Sequence, residues 1–145
     1  MHRNEEHYPD PTFAAAYMNM RKEASKSNGD VLVPWVYIAS PLRGDIEGNI
    51  QRAKDYCRFV IKQNKLPFCP HIYFTQFLND NIESERRIGM LYGIYMLKRC
   101  KELWVFGDRI SEGMQSEIRI AKDRDMPIRY FSSDCREKNH ENISR

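Results

Sequence analysis

Nowhere in this sequence do apolar residues run on for the roughly 20 positions that a membrane span requires. Residues 1–10 are charged and contain no apolar core of a signal peptide. A soluble cytoplasmic protein is therefore the expectation. Cysteine is sparse: Cys57, Cys69, Cys100 and Cys135 stand singly, with no CxxC pair, which points to reduced structural thiols and away from a disulfide framework or a metal site. An excess of one charge is lacking too. The net charge is +3, with 23 basic and 20 acidic residues interspersed along the chain, so there is no basic stripe of the kind that grips a nucleic-acid polymer. Internal repeats and low-complexity blocks are also missing.

What the chain does have is aromatic bulk, 8 Tyr, 7 Phe and 2 Trp in 145 residues, and enough length for one domain with a real core. Residues 1–30 read as an N-terminal extension, polar at first, then helical from Thr12 to Lys26, and ended by Ser27-Asn28-Gly29. That helix packs either on the core or on a partner. Residues 31–131 then alternate strand and helix patterns, and residues 132–145 form a polar tail.

Within 31–131, residues 31–39 are nearly continuously apolar and rich in Val, Ile and aromatics, as a central parallel strand covered on both faces requires. The loop Ser40-Pro41-Leu42-Arg43-Gly44-Asp45 follows, and Ile46, Ile50, Ala53, Cys57 and Val60 then recur at helical spacing. Residues 66–72 read as a second strand, short and either at an edge or irregular because of Pro67 and Pro70, with residues 70–75 as a loop at its carboxyl end. Residues 82–100 form a long helix whose apolar residues spread round its circumference, so it is buried on more than one side, within the fold or by another subunit. Leu103-Trp104-Val105-Phe106 is a third strand, residues 113–125 the next helix and residues 127–131 the last strand. The alternation predicts a three-layer α/β domain around a mostly parallel sheet of four or five strands, with right-handed crossovers.

The stretch Ser111-Glu112-Gly113-Met114-Gln115-Ser116-Glu117-Ile118 joins the third strand to the following helix. Ligands bind such junctions, at the carboxyl ends of parallel strands. Ser111 suits an N-cap, Gly113 permits close backbone approach, and the free N–H groups of a first helical turn attract anions. Glu117 falls at the edge of the apolar stripe set by Met114, Ile118 and Ala121, where a carboxylate can serve as nucleophile or base. On position alone it reads more often as a carboxylate that favours the helix dipole, and Tyr37 as a core aromatic.

Two signatures carry a resemblance. Val36-Tyr37-Ile38-Ala39-Ser40-Pro41 before a helix, and Ser111-x-Gly113-x-x-x-Glu117 before Ile118-x-x-Ala121 and a strand opening Met126-Pro127-Ile128, resemble the nucleoside 2-deoxyribosyltransferase superfamily, in particular its small bacterial and phage members. The likeness spans residues 33–131 and implies a Rossmann/flavodoxin-like fold. It implies that Glu117 attacks the anomeric carbon of a nucleoside, with Tyr37 beside it; His71 and Asp108, at predicted strand ends facing the site, are candidates for acid or base contact. Ser40, Pro41, Arg43, Gly44, Ser111, Gly113 and Met114 then hold sugar or phosphate; Ser40-x-x-Arg43-Gly44 and Ser111 are closest to the branch that hydrolyses 2-deoxynucleoside 5-monophosphates. The chemistry needs no metal or organic cofactor, and relatives of this kind form homodimers or higher homo-oligomers around a small nucleoside or nucleotide ligand. One departure is plain: where relatives carry an aspartate just before the third strand, this chain has Lys101 and Glu102. Either Glu102 substitutes for that acid, or the proton donor is elsewhere, or the protein is a non-catalytic binder of a nucleotide or nucleotide-derived signal.

Overall fold

A computed structural model describes residues 11–26 and 33–139 of the chain. The expectations for residues 1–10, 27–32 and the end of the polar tail lie outside the described residues. Five strands form one sheet in the order β2-β1-β3-β4-β5. β1 (Trp35–Ala39), β2 (Leu66–Phe68), β3 (Glu102–Phe106) and β4 (Ile128–Phe131) are mutually parallel, and β5 (Glu137–Lys138) runs antiparallel to β4. This is a Rossmann/flavodoxin-like arrangement.

Alternation along the strands sorts the core into two layers. Val36, Ile38, Trp104, Phe106 and Phe131 face α2 (Ile46–Lys62), which contributes Ala53, Tyr56 and Val60. Tyr37, Ala39, Leu103, Val105 and Tyr130 face the other way, against Leu97 of α4 (Glu83–Leu97) and Met114, Ile118 and Ala121 of α5 (Glu112–Asp123). Each helix buries residues three or four positions apart, so one stripe faces the sheet. β1 and β3 are covered on both sides, which is why their sequences are uninterrupted apolar runs.

The structure corrects several boundaries. β2 ends at Phe68, and residues 70–73 form a short helix, α3 (Pro70–Tyr73), followed by a 3₁₀ turn (Phe74–Gln76), in place of a continued strand and a loop. Pro70 is the cause: proline has no N–H to give to a strand ladder, and its fixed φ suits the first helical position. Pro67 is tolerated because β2 is an edge strand. The polar tail, in turn, contains β5, pinned by a two-pronged ion pair from Arg129 Nε and Nη2 to Glu137 at 2.7 and 2.9 Å.

α4 meets only one half of its expectation within the described residues. Its inner face buries Gly93 and Leu97, but Ile88, Leu91, Tyr92 and Tyr95, spaced i, i+3, i+4, i+7, are all 43–50 % exposed. The helix therefore has two apolar faces, and the described residues cover one of them. α1 (Pro11–Lys26) packs on α2, burying Ala16 and setting Phe13 beneath Arg58, 4.3 Å from ring centroid to guanidinium carbon. Among the described residues no helix is long and apolar enough to cross a membrane.

Candidate functional site

β1 is flanked by β2 and β3, and the chain leaves it for α2 on one face while α4 and α5 cover the other. The connections thus leave β1 and β3 in opposite directions, and the β1–α2 and β3–α5 loops lie at the carboxyl ends of those strands. Open α/β sheets bind ligands at this switch point. A cavity of about 320 Å³ lies there. Pro41, Arg43 and Gly44 line it from the first loop, Gly107, Asp108 and Arg109 from the second, and Asn49 and Arg52 from α2.

Both loops are braced. Asp45 caps α2 by accepting from Gly48 N at 3.1 Å; Asn49 Nδ2 donates to the Leu42 carbonyl at 2.9 Å, and Arg52 Nη2 donates to Asn49 Oδ1 at 2.8 Å. Across the cavity, Lys138 Nζ donates to the Gly107 carbonyl at 2.8 Å and pairs with Asp108 at 3.5 Å. Gly44 and Gly107 hold φ of +99° and +108°, a region that a side chain disfavours. Arg43 is 59 % exposed, 3.8 Å from Asp80, and Arg52 lies 3.6 Å from Asp45. With Arg109 they put three arginines in the lining of one cavity, a residue type suited to an oxyanion.

Tyr37 and Glu117 sit on the α4–α5 side of β1 and β3 and line none of this cavity. Ser111 caps α5: its Oγ accepts from Met114 N at 3.3 Å, and its own N–H donates to Met114 Sδ at 3.4 Å. That start sets the helix phase, so Met114, Ile118 and Ala121 enter the core and Glu117, one residue before Ile118, meets Tyr37. The two side chains are hydrogen-bonded, the phenol O–H donating to the ionised carboxylate. Glu117 as a residue is only part-buried, yet its carboxyl group is walled in. That desolvation raises its pKa from 4.5 to about 7, against the lowering effect of the Tyr37 bond. Tyr37, 2 % exposed, has its pKa raised well above 10 by burial first and the neighbouring carboxylate second.

His71 lies in α3, and its ring N–H donates to the Ser40 carbonyl; burial lowers its pKa and keeps it neutral, against the opposing effects of that bond and of Asp80. Ser40 itself is 1 % exposed, and its Oγ has no hydrogen-bond partner among the described residues. Asp108 is exposed in the cavity and committed to Lys138. Gly113 is in the exposed first turn of α5, with only Ser111 Oγ near its missing side chain, at 4.0 Å.

The structure thus gathers Pro41, Arg43, Gly44 and Asp108 at the cavity, and brings Tyr37 and Glu117 together on the α4–α5 side of the sheet. Lys101 and Glu102 are removed from both: Lys101 N–H bonds the carbonyl of Trp35, the first residue of β1, and Glu102 opens β3, accepting from Trp104 Nε1 at 3.2 Å and pairing with Lys65 at 3.8 Å. They stand at the amino ends of the strands, so Glu102 cannot substitute for a site acid. Sequence reasoning missed Arg52 and Arg109. Arg52 follows the capping Asp45 by two helical turns, so projecting α2 would have placed it on the cavity side; Arg109 had no signal beyond its place in the loop.

No curated protein matches the sequence. Among solved structures, a 2-deoxyribosyltransferase from the psychrotolerant bacterium Bacillus psychrosaccharolyticus is similar, with a TM-score of 0.51 and 17 % identity over 68 % of this chain and 72 % of that one. At that identity the likeness establishes a shared fold. Residues 34–131, the span containing every strand but β5, match the family described as Domain of unknown function (DUF7768), and the chain belongs to that family.

Proposed function

We propose that the protein cleaves or transfers the N-glycosidic bond of a 2-deoxynucleoside 5-monophosphate. The observation that carries this is Glu117: a desolvated carboxyl group hydrogen-bonded to one buried phenol, in a sheet whose carboxyl end carries a cavity with three arginines in its lining. A carboxylate stripped of water is a stronger nucleophile than a hydrated one. Glu117 attacks the anomeric carbon, the bond to the base breaks, and the base leaves with the electron pair and takes up a proton. Water or a second base then attacks the same carbon and frees the carboxylate, the two-step course of a retaining glycosidase. Tyr37 orients Glu117. Arg43, Arg109 and Gly44 hold the phosphate, with Ser111, Gly113 and the first turn of α5 near the sugar. His71, neutral and committed through one nitrogen, presents the other as an acceptor for base or sugar. The fold shared with a 2-deoxyribosyltransferase supports the reading.

The test is chromatographic: free-base release from a panel of nucleosides and their 5-monophosphates, with Glu117→Ala in parallel. Release by the wild type alone names the substrate. Ligand-dependent stabilisation with no release from any member would replace the enzyme with a nucleotide-binding protein on the same fold. Within the enzyme reading, Arg43→Ala or Arg109→Ala should raise KM for monophosphates by about tenfold or more, the worth of one charged hydrogen bond. Kinetics on free nucleosides should stay unchanged, and an equal loss on both substrates would remove phosphate from the cavity.

The exposed stripe of α4 is assigned to a second copy of the chain, forming a homodimer. Sedimentation at micromolar concentration should give a dimeric mass that Leu91→Glu with Tyr92→Glu converts to monomer. A monomeric wild type would sink this assignment.

A further inference from the structure

Gly93 is buried in the interior of α4, where glycine is disfavoured relative to alanine. Its φ is not among the positive ones, so the backbone there has no need of glycine. What the fold uses is the missing side chain. A Cβ at Gly93 would lie 3.2 Å from Tyr37 Oη and 3.8 Å from Pro70 Cβ. The equivalent atom at Gly89, one turn earlier, would sit at ordinary contact distance, 3.6 Å from Leu78 and 3.9 Å from Phe74. The tight approach is therefore specific to the tyrosine hydroxyl.

That hydroxyl has little room to retreat. Tyr37 is in the middle of β1, paired in register with Phe68 on one side and Leu103 on the other, and its ring lies 5.9 Å from that of Phe68. A methyl group at position 93 would displace Oη by a few tenths of an ångström, and the hydroxyl would move relative to Glu117. The other titratable groups that act on Tyr37 are the thiols of Cys69 and Cys100, both buried with raised pKa values, so Glu117 is the anionic acceptor in reach.

We infer that Gly93 is a positioning residue: its bare backbone lets α4 close against Tyr37 Oη and hold the phenol O–H on the Glu117 carboxylate. The inference deepens the roles proposed for Tyr37 and Glu117 and shares their assignment, but its test needs no substrate.

Gly93→Ala is compared in the wild-type and Tyr37→Phe backgrounds, reading melting temperature and the protonation midpoint of Glu117 by carboxyl carbon NMR. In the wild-type background Gly93→Ala should lower the melting temperature and move the Glu117 midpoint upward. In the Tyr37→Phe background, where the atom that would clash is gone, the same change should leave the midpoint in place and raise the melting temperature, because alanine is the better helix former. Equal changes in the two backgrounds, or an unmoved midpoint in Gly93→Ala, would overturn the inference. Should Gly93→Ala alone fail to fold, recovery in the double variant supports it and failure of both refutes it. Loss of base release from every substrate with this coupling intact would cost the enzyme reading and leave the positioning role standing.

Discussion

Glu117→Gln is expected to reduce base release by roughly 10⁴-fold or more, the scale of losing a catalytic nucleophile, and at the same time to make the protein harder to melt above neutral pH. Both follow from one fact of placement. Burial raises the pKa of the carboxyl from 4.5 to about 7. Between those values the native state binds a proton that the unfolded chain has released. Stability attributable to this group is therefore fully present below about pH 4.5 and lost as pH rises through 7, where the ionised carboxylate has to be held away from water. With the side chain part-exposed, the cost comes to roughly 1–3 kcal/mol. Glutamine keeps an oxygen to accept from Tyr37 but carries no charge at any pH. The variant should then melt several degrees above the wild type at pH 8, and the two should converge at pH 5. Melting curves at those two pH values check the second half, and the base-release assay the first. A constant difference in melting temperature at both would mean that Glu117 is not desolvated; retained release would remove it as the nucleophile.

Such a trade of stability for a reactive group is legible in the sequence only in part. The pattern at β1, α2, β3 and α5 was readable because each element has a single burial demand, two covered faces for the strands and one stripe for the helices. α4 was readable as a helix with apolar residues round its circumference, but not which face the fold itself covers, because those residues answer two demands, an inner contact at Gly93 and Leu97 and an outer stripe from Ile88 to Tyr95 that the described residues leave uncovered. Residues 70–76 were misread since proline interrupts a strand and starts a helix with the same fixed φ, and composition cannot say which. β5 had no apolar signal: its strand is held by Arg129 on Glu137, and that arginine also lies over the Trp104 ring at 4.5 Å, a tertiary arrangement with no local period. Of the site, Tyr37 and Glu117 meet although 80 positions separate them in the sequence. The likeness to a known signature, not periodicity, suggested the pair. Glu102 illustrates the converse error. It is the first residue of β3, a strand whose carboxyl end faces the cavity, and so stands at the wrong end; strand direction decides which end meets ligand.

The second large effect is expected from Tyr37→Phe, and its sign separates two roles that a lost hydrogen bond can have. The Tyr37 hydroxyl opposes the burial that raises the pKa of Glu117. Without it the ionised carboxylate loses a donor and stays desolvated, so its pKa moves further above 7. If the nucleophile must be ionised, the rising limb of the kcat/KM pH profile moves to higher pH. Each unit of that displacement costs about tenfold in rate at pH 6, while the plateau at pH 9 and above changes little. The phenyl ring keeps its place beside Phe68, so the fold is preserved and a melting temperature near that of the wild type is the control. A uniform drop across the whole profile would instead assign Tyr37 to orienting Glu117 in the transition state alone. A profile unchanged in both height and midpoint would detach Tyr37 from the chemistry and leave it a core aromatic, the reading its place in a central strand supports by itself.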